Sequence, residues 1–271
     1  MPELPEVETT LRGLKPHLEG QRIRTAVIRK RALRLPITRN LPQLIADATV
    51  RSIGRRGKYL LFDCGRGSLI VHLGMSGRLW LVDAATRPEP HDHFDLVMAS
   101  GAVMRLRDPR RFGLVLWHKG EALSHRLLKD IGPEPLGAGF DAAWLYRETR
   151  SRSAAIKQAL MDSHLVAGIG NIYANEALFH AGINPKTPAR CIGPERYAVL
   201  VGKIRETLEL AIGAGGSSLR DYVGSDGRAG NFQNHFLVYD RAGLPCFNCG
   251  APVRAFVQGQ RSTFYCPRCQ R

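Results

Sequence analysis

The tightest constraint on the fold lies near the C-terminus. Cys246 and Cys249 form one C-x2-C pair, Cys266 and Cys269 form a second, and sixteen residues separate the two. Four thiols at this spacing read as a four-cysteine metal site. Four thiolates close a tetrahedron and leave no position for water, so the expected ion is a single structural Zn2+. The stretch between the pairs, Val253 to Phe264, is expected to form a hairpin pinned by the metal, with Arg261 near its tip beside Gln260 and Ser262. Disulfides are the other use of such cysteines. The N-terminus, however, is acidic and proline-punctuated, without the basic start and apolar run of a secretory leader. No stretch approaches the roughly 20 apolar residues of a membrane span. The expected compartment is therefore reducing, the cytoplasm or, in a eukaryote, the nucleus. Cys64 and Cys191 read as ordinary packing or surface residues.

Upstream, the hydrophobic period divides the chain. A first helix is expected from about Pro5 to Leu14 or a little beyond, with Val7, Leu11 and Leu14 on one face and Pro16 and Gly20 closing it. Seven short strand-like runs follow: Arg24–Ile28, Lys58–Phe62, Leu69–Leu73, Leu79–Val82, Phe94–Met98, Val103–Leu106 and Leu114–Trp117. One helical stretch, Leu41–Ala46, interrupts them. Short strands broken by Gly, Asp and Arg clusters suggest an antiparallel sandwich or barrel. Gly132-Pro133-Glu134-Pro135-Leu136-Gly137 reads as a linker, after which Ala142–Thr149, Ser153–Met161, Asn171–His180 and Glu195–Ala211 carry helical periodicity. Gly213–Gly230, rich in Gly, Ser and Asp, reads as a long mobile loop. The expected organisation is α+β and multidomain: a β domain over 1–131, a helical domain with the loop over 132–230, and a zinc finger over 231–271.

Charge narrows the partner. With 39 Lys and Arg against 24 Asp and Glu, the net charge is +15 and the isoelectric point is near 10.1. Such a balance favours a polyanion, and nucleic acid before a membrane surface.

The first residues, Met1-Pro2-Glu3-Leu4-Pro5-Glu6, carry the chemistry. Loss of Met1, which small following residues permit, would leave Pro2 with a free secondary amine. An α-amine has a pKa near 8, so about a tenth is unprotonated at pH 7, far more than for lysine. A secondary amine attacking a sugar carbon gives a cationic iminium, a covalent electron sink. Glu3 and Glu6 stand beside it as carboxylates able to move protons. The alternative is an ordinary helix start, with Pro5 in the first turn and acidic groups at the positive end of the dipole.

Several other clusters suit nucleic acid. Lys58 opens a strand after Arg51, Arg55 and Arg56. The turns Gly74-Met75-Ser76-Gly77 and Asp108-Pro109-Arg110-Arg111-Phe112-Gly113 place apolar and cationic side chains at their tips, the tools that unstack a duplex. Gly168-Ile169-Gly170-Asn171 opens a helix whose N-terminus suits a phosphate, with Arg152 and Lys157 on the preceding segment. His91-Asp92-His93 lacks a further ligand cluster, so His91 is read as a phosphate contact.

Together these stretches resemble the formamidopyrimidine-DNA glycosylase family. The likeness runs through Pro2-Glu3-Leu4-Pro5-Glu6-Val7-Glu8, Arg56-Gly57-Lys58-Tyr59-Leu60, His72-Leu73-Gly74-Met75-Ser76-Gly77, His91-Asp92-His93, the Asp108–Gly113 turn, Gly168–Tyr173 and the four-cysteine tail, in order across the whole chain. The resemblance implies a β-sandwich, a helix–two-turns–helix domain and a zinc finger, acting as a monomer with duplex DNA in the cleft between them. It implies excision of oxidised purines, chiefly 8-oxoguanine and formamidopyrimidines, followed by strand cleavage at the abasic site, without redox or organic cofactor. In this sequence it assigns the nucleophile to Pro2, the acid/base to Glu3, β-elimination to Lys58 and the finger arginine to Arg261. Met75, Arg110 and Phe112 fill the void, Asn171 and Lys157 hold phosphates, and a loop at about Ser217–Gly227 covers the damaged base. The sister endonuclease VIII family prefers oxidised pyrimidines and typically has Gly where Leu4 stands. Leu4, Met75 and the Arg110-x-Phe112 pair favour the purine-directed family. A non-catalytic zinc-ribbon nucleic-acid-binding protein is the rival from another class.

Overall fold

The computed structural model describes residues 1–217 and 230–271. The chain divides into two compact units, one made of residues 1–130 with 214–231, the other of residues 131–213 with 232–271.

The first unit begins with helix α1, Leu4–Leu18. The helix runs through Pro16 and stops at Gly20, which takes a φ of +79°. Proline was expected to help close it. In the last turn the ring removes one hydrogen bond, whereas the added turn carries Leu18 into the core, fully buried, a gain of about 1.5–3 kcal/mol. Two four-stranded antiparallel sheets follow. One has the order β1-β6-β7-β5, built from β1 (Ile23–Ile28), β6 (Asp92–Met98), β7 (Val103–Arg107) and β5 (Arg78–Val82). The other has the order β2-β3-β4-β8, built from β2 (Ser52–Arg56), β3 (Tyr59–Asp63), β4 (Ser68–His72) and β8 (Leu114–His118). Helix α2, Leu41–Ile45, lies between β1 and β2 in sequence. Val7, Leu11, Leu14 and Leu18 of α1 share one core with Leu60 and Phe62 of β3, Leu69 and Val71 of β4, and Phe94, Leu96 and Met104 of β6 and β7. The result is a β-sandwich.

Among the described residues the sandwich has eight strands, not seven. The strand the sequence concealed is β2, whose Ser-Ile-Gly-Arg-Arg run shows only Ile53 as a buried side chain. It is an edge strand, and backbone pairing to β3 forms it rather than apolar alternation. Strand β6 shows the reverse situation. All seven residues are buried, including Asp92 and Asp95. Each sits opposite an arginine of β7, Asp92 against Arg107 and Asp95 against Arg105. Arg105 reaches Asp95 with two bonds of 2.9 Å, and Arg107 reaches Asp92 at 2.7 and 3.2 Å. Such bidentate pairs make a charged central strand tolerable. Burial raises the Asp95 carboxyl, but hydrogen bonds from Arg105 and Arg29 outweigh it and hold the group below the usual carboxylate range.

The second unit contains α3 (Ala142–Thr149), α4 (Ile156–Leu160), α5 (Asn171–His180) and α6 (Pro194–Gly213). Asp141 caps α3 by accepting from Trp144 N–H at 2.7 Å. Helix α4 is shorter than the expected Ser153–Met161. The backbone before it pairs elsewhere: Ala189 N–H donates to Ala154 at 2.9 Å, and Ile156 N–H to Thr187 at 2.8 Å. Ile172 through Phe179 of α5 are all buried, as befits a helix enclosed by its neighbours. The apolar face expected for α6, from Tyr197 to Ala211, is the buried one. Strands β9 (Arg254–Gln258) and β10 (Arg261–Tyr265) form the C-terminal hairpin. Among the described residues, no helix is long and apolar enough to cross a membrane.

Candidate functional site

In the first unit, the N-terminal residues enter α1 in a fixed geometry. Met1 is 45% exposed, whereas Glu3 is 2% exposed and Pro2 is buried. Glu3 is the N-cap, in extended conformation, and forms a capping box with Glu6. Glu3 N–H donates to Glu6 Oε2 at 2.8 Å. Glu6 Oε1 accepts from Ser217 N–H at 2.8 Å and from Ser217 Oγ at 3.0 Å. The Glu6 carboxylate thus ties the start of α1 to residue 217. Residues 214–217 and 230–231 close on each other through Asn231 N–H to Ala214 O at 3.0 Å and the Ser217–Asn231 bridge. The loop expected to cover a damaged base, Ser217–Gly227, lies outside the described residues apart from Ser217.

Lys58 lies in the two-residue turn joining β2 and β3, where Arg56 pairs with Tyr59. Gly57 has a φ of +55° while Lys58 keeps a negative φ, the type II′ pattern that suits a tight hairpin. Arg55 fixes this turn to α1. Its Nε donates to Glu8 at 3.0 Å and its Nη1 to Gly57 O at 3.0 Å. Glu8 also accepts from Arg12 at 2.9 Å. Burial raises the Glu8 carboxyl, and the bonds from Arg55 and Arg12 more than reverse that. Across the sheet, His72 stands opposite Tyr59, with ring centroids 4.7 Å apart. Its Nδ1 accepts from Gly74 N–H at 2.9 Å, which leaves the proton of the neutral ring on Nε2. Burial first, then the charges of Lys58 and Arg34, press the His72 pKa down to about 3.

The residues expected to enter a duplex sit on turns of the same unit. Phe112 is 45% exposed, and the Arg110 guanidinium lies over its ring, 5.0 Å from the centroid. Met75 is half-buried and His91 exposed. His91 takes a φ of +74°, uncommon for a non-glycine residue.

In the second unit, Lys157 is 1% exposed. Its amine donates to Ser262 O at 2.9 Å and to Thr263 Oγ1 at 2.7 Å. Asn171, the first residue of α5, donates to the same Ser262 carbonyl at 3.0 Å. Both therefore sit against the hairpin next to Arg261, which is exposed at the start of β10. The turn before it, Gly259-Gln260, has φ values of +54° and +61°, the type I′ pattern. Arg152 lies between α3 and α4 and is held by Asp162 at 2.7 Å and by Glu148 O at 3.2 Å. Helix α5 also grips the C-terminal segment. Asn175 accepts from Phe264 N–H at 2.9 Å. Glu176, 1% exposed, accepts from the N–H groups of Leu237, Val238 and Tyr239 at 2.9, 3.0 and 2.7 Å. Burial raises its carboxyl, and these three bonds only partly offset the rise.

The four sulfurs of Cys246, Cys249, Cys266 and Cys269 lie within 4.8 Å of one another. Cys246 and Cys269 are 3.9 Å apart, and Cys249 and Cys266 are 3.4 Å apart. This cluster can hold one metal ion.

Three family models match successive parts of the sequence. The formamidopyrimidine-DNA glycosylase N-terminal domain covers residues 1–115, the H2TH domain of the same proteins covers 131–223, and the zinc finger found in FPG and IleRS covers 243–271. Formamidopyrimidine-DNA glycosylase of Herminiimonas arsenicoxydans is 55% identical over 274 residues, with all of both chains covered. This chain belongs to the formamidopyrimidine-DNA glycosylase family. The counterpart from Aromatoleum aromaticum is likewise 55% identical, over 271 residues and the full length of both chains. Among solved structures, the MutM (Fpg) protein of Thermus thermophilus matches with a TM-score of 0.89 at 40% identity, covering 99% of this chain and 98% of that one. The Lactococcus lactis protein in complex with abasic-site DNA matches with a TM-score of 0.91 at 35% identity, covering 99% of each chain. A variant of it bound to a Fapy-dG containing DNA matches at 0.92 and 35%, with both chains fully covered.

The structure adds residues that the motifs did not single out for a role. Glu8 and Arg55 hold the Lys58 turn to α1, and Glu176 holds the segment leading into the finger. Their signal in the sequence is weak, since a charged residue in a helix or an edge strand reads as surface until its partner is known.

Proposed function

We propose that this protein is a base-excision repair enzyme that removes oxidised purines from duplex DNA and cleaves the resulting abasic strand. The single observation that carries the reading is the N-terminus: buried Pro2 precedes Glu3, which heads α1 in a capping box with Glu6, within a family whose relatives are solved on Fapy-dG and abasic-site DNA. After loss of Met1, the neutral Pro2 amine attacks the sugar C1′ as the glycosidic bond breaks, and the proton the amine gives up goes to the departing base. Glu3 delivers a proton to the ring oxygen as the sugar opens to the iminium. The iminium acidifies the C2′ hydrogen. Removal of that proton expels the 3′ phosphate, and a second elimination expels the 5′ phosphate. Lys58, in the turn that the Glu8–Arg55 link fixes to α1, serves the elimination. Glu6 holds the covering loop's first residue and the helix start together.

Met75, Arg110 and Phe112 enter the stack from which the lesion has turned, at a cost of a few kcal/mol that is least for a damaged base. His91, Arg152, Asn171 and Arg261 contribute to the grip on phosphates, with Arg261 aimed from the hairpin tip; Lys157, 1% exposed, instead seats the hairpin next to Arg261 through Ser262 and Thr263. The cysteine cluster takes one zinc ion. Zn–S bonds of about 2.3 Å require sulfurs about 3.8 Å apart, close to the 3.9 and 3.4 Å of the Cys246–Cys269 and Cys249–Cys266 pairs. The zinc is structural, and no step of the reaction passes through it. The protein works as a monomer in a bacterial cytoplasm, in keeping with its bacterial relatives. Along the sequence its organisation follows three parts, 1–131, 132–230 and 231–271, with residues 214–217 of the second belonging to the first compact unit. The deciding experiment compares excision of 8-oxoguanine with that of thymine glycol from otherwise identical duplexes. Faster release of 8-oxoguanine is expected; preference for thymine glycol would move the chain to the pyrimidine-directed class, and binding without cleavage would leave only a nucleic-acid-binding protein.

A further inference from the structure

Asp108 is fully buried, and its bonds run to the turns that carry the proposed wedge. Oδ1 accepts from Ser76 Oγ at 2.8 Å, and Oδ2 accepts from Gly113 N–H at 2.7 Å. Ser76 Oγ in turn accepts from Arg110 N–H at 3.2 Å. The main chain of Asp108 is engaged as well. Its N–H donates to His91 O at 3.0 Å, and its carbonyl accepts from Arg111 N–H at 3.1 Å and from His93 Nε2 at 3.0 Å. One residue therefore joins the 74–77 turn, the 91–93 segment and the 108–113 turn.

Two further observations show that these turns form one body. A Cβ on Gly74, whose φ is +64°, would lie 2.3 Å from the Phe112 carbonyl carbon, so the two turns touch backbone to backbone. His91 and Arg111 take φ values of +74° and +57°. Such conformations cost free energy in non-glycine residues and persist only where the surroundings impose them. Both residues are bonded to the Asp108 main chain. An apolar side chain would fill the same space without the cost of burying a carboxylate, but it would not bond both turns at once.

We infer that Asp108 is the positioning residue of base eversion: it never touches DNA, its side chain locks Met75, Arg110 and Phe112 into a single rigid wedge through Ser76 and Gly113, and its main chain holds the His91 segment beside them. This rests on the excision activity proposed above. The prior opening of the base stack, and not the covalent chemistry, is the step that depends on it.

The test uses the full chain and three variants, Asp108→Ala, Asp108→Asn and Ser76→Ala. One substrate is an 8-oxoguanine duplex with 2-aminopurine beside the lesion, which reports unstacking. The other is an abasic site in single-stranded DNA, where no base has to be turned out. Asp108→Ala should slow both the 2-aminopurine signal and duplex excision about 100-fold, the scale of a 1 Å misplacement, while cleavage of the single-stranded abasic site stays within about twofold. Ser76→Ala, which cuts one link and keeps the buried carboxylate, should act in the same direction by about tenfold. Asp108→Asn, which keeps an oxygen for one of the two donors, should recover most of the duplex rate. If Asp108→Ala fails to fold, the Ser76→Ala ratio of duplex to single-strand rates decides. Equal losses on both substrates, or no loss in a folded variant, would overturn the assignment. A wild-type chain that does not excise 8-oxoguanine would instead remove the proposed function, a result separable from either.

Discussion

His72 ought to make the first unit lose stability in mild acid, and the amount can be worked out. The ring is held neutral by burial, by the Lys58 and Arg34 charges, and by a Gly74 N–H aimed at Nδ1. A proton on Nδ1 would face that N–H. With a folded pKa of about 3 and an unfolded value near 6.5, the unfolded chain binds the proton and the folded chain refuses it. Stability from this group is therefore complete above about pH 6.5 and drains away as pH falls toward 3. Between pH 7 and pH 5 the unfolded ring goes from about a quarter protonated to nearly full, which removes about 2 kcal/mol. The assay is urea unfolding followed by tryptophan fluorescence at both pH values, for the wild type and for His72→Asn. Asparagine offers an oxygen to Gly74 N–H and does not titrate. The wild type should lose about 2 kcal/mol more than the variant over this range. Burial also lowers His93, His125 and His180, but their contribution is common to both chains and cancels in the difference. An identical loss in the two proteins, or a ring that NMR shows protonating near pH 6, would refute the reasoning.

The helix start at the N-terminus, the 74–77 and 108–113 turns, the four clustered cysteines and the hairpin were legible in the sequence, because each is local. A C-x2-C pair or a two-residue turn is specified by residues a few positions apart. The helical spacing of Tyr197, Leu200, Val201, Ile204, Leu208 and Ala211 likewise named the buried face of α6. What escaped was defined by partners outside the segment's own pattern. Strand β2 is held by β3 rather than by its own pattern. The first residues of the expected α4 are spent on pairing with residues 187–189. Glu6 looks like a helix-start acid until Ser217, 211 positions away, is seen donating to it. Lys157 looks like a surface cation until its amine is found on Ser262 and Thr263, more than a hundred positions on.

Lys157→Met keeps the aliphatic stem but removes both amine bonds at the hairpin. Losses of charged hydrogen bonds of this kind run to about 1.5–3 kcal/mol each, so thermal denaturation should show a lower melting temperature together with weaker cleavage of lesion duplex; a melting curve and activity like the wild type would contradict the seating of the amine. Cys266→Ser opens the metal cluster and should abolish stoichiometric zinc by elemental analysis and strongly weaken DNA binding, whereas unchanged binding without metal would remove the structural role of the ion. Because thiols must lose protons to bind it, zinc occupancy of the wild type should fall as pH is lowered. Raising the salt concentration should weaken binding to duplex steeply, as expected when several phosphates are neutralised, and a flat response would exclude an electrostatic grip.

The identity of the covalent catalyst is open to direct measurement. Borohydride added during turnover of an 8-oxoguanine duplex reduces the iminium to a stable amine, and peptide mapping of the adduct locates the attached nitrogen. The expected adduct lies on a peptide that begins at Pro2, with Met1 absent from the intact mass. An adduct on Lys58 or any other lysine, or full activity in a chain that keeps Met1, would show that the head of α1 is a helix start and nothing more.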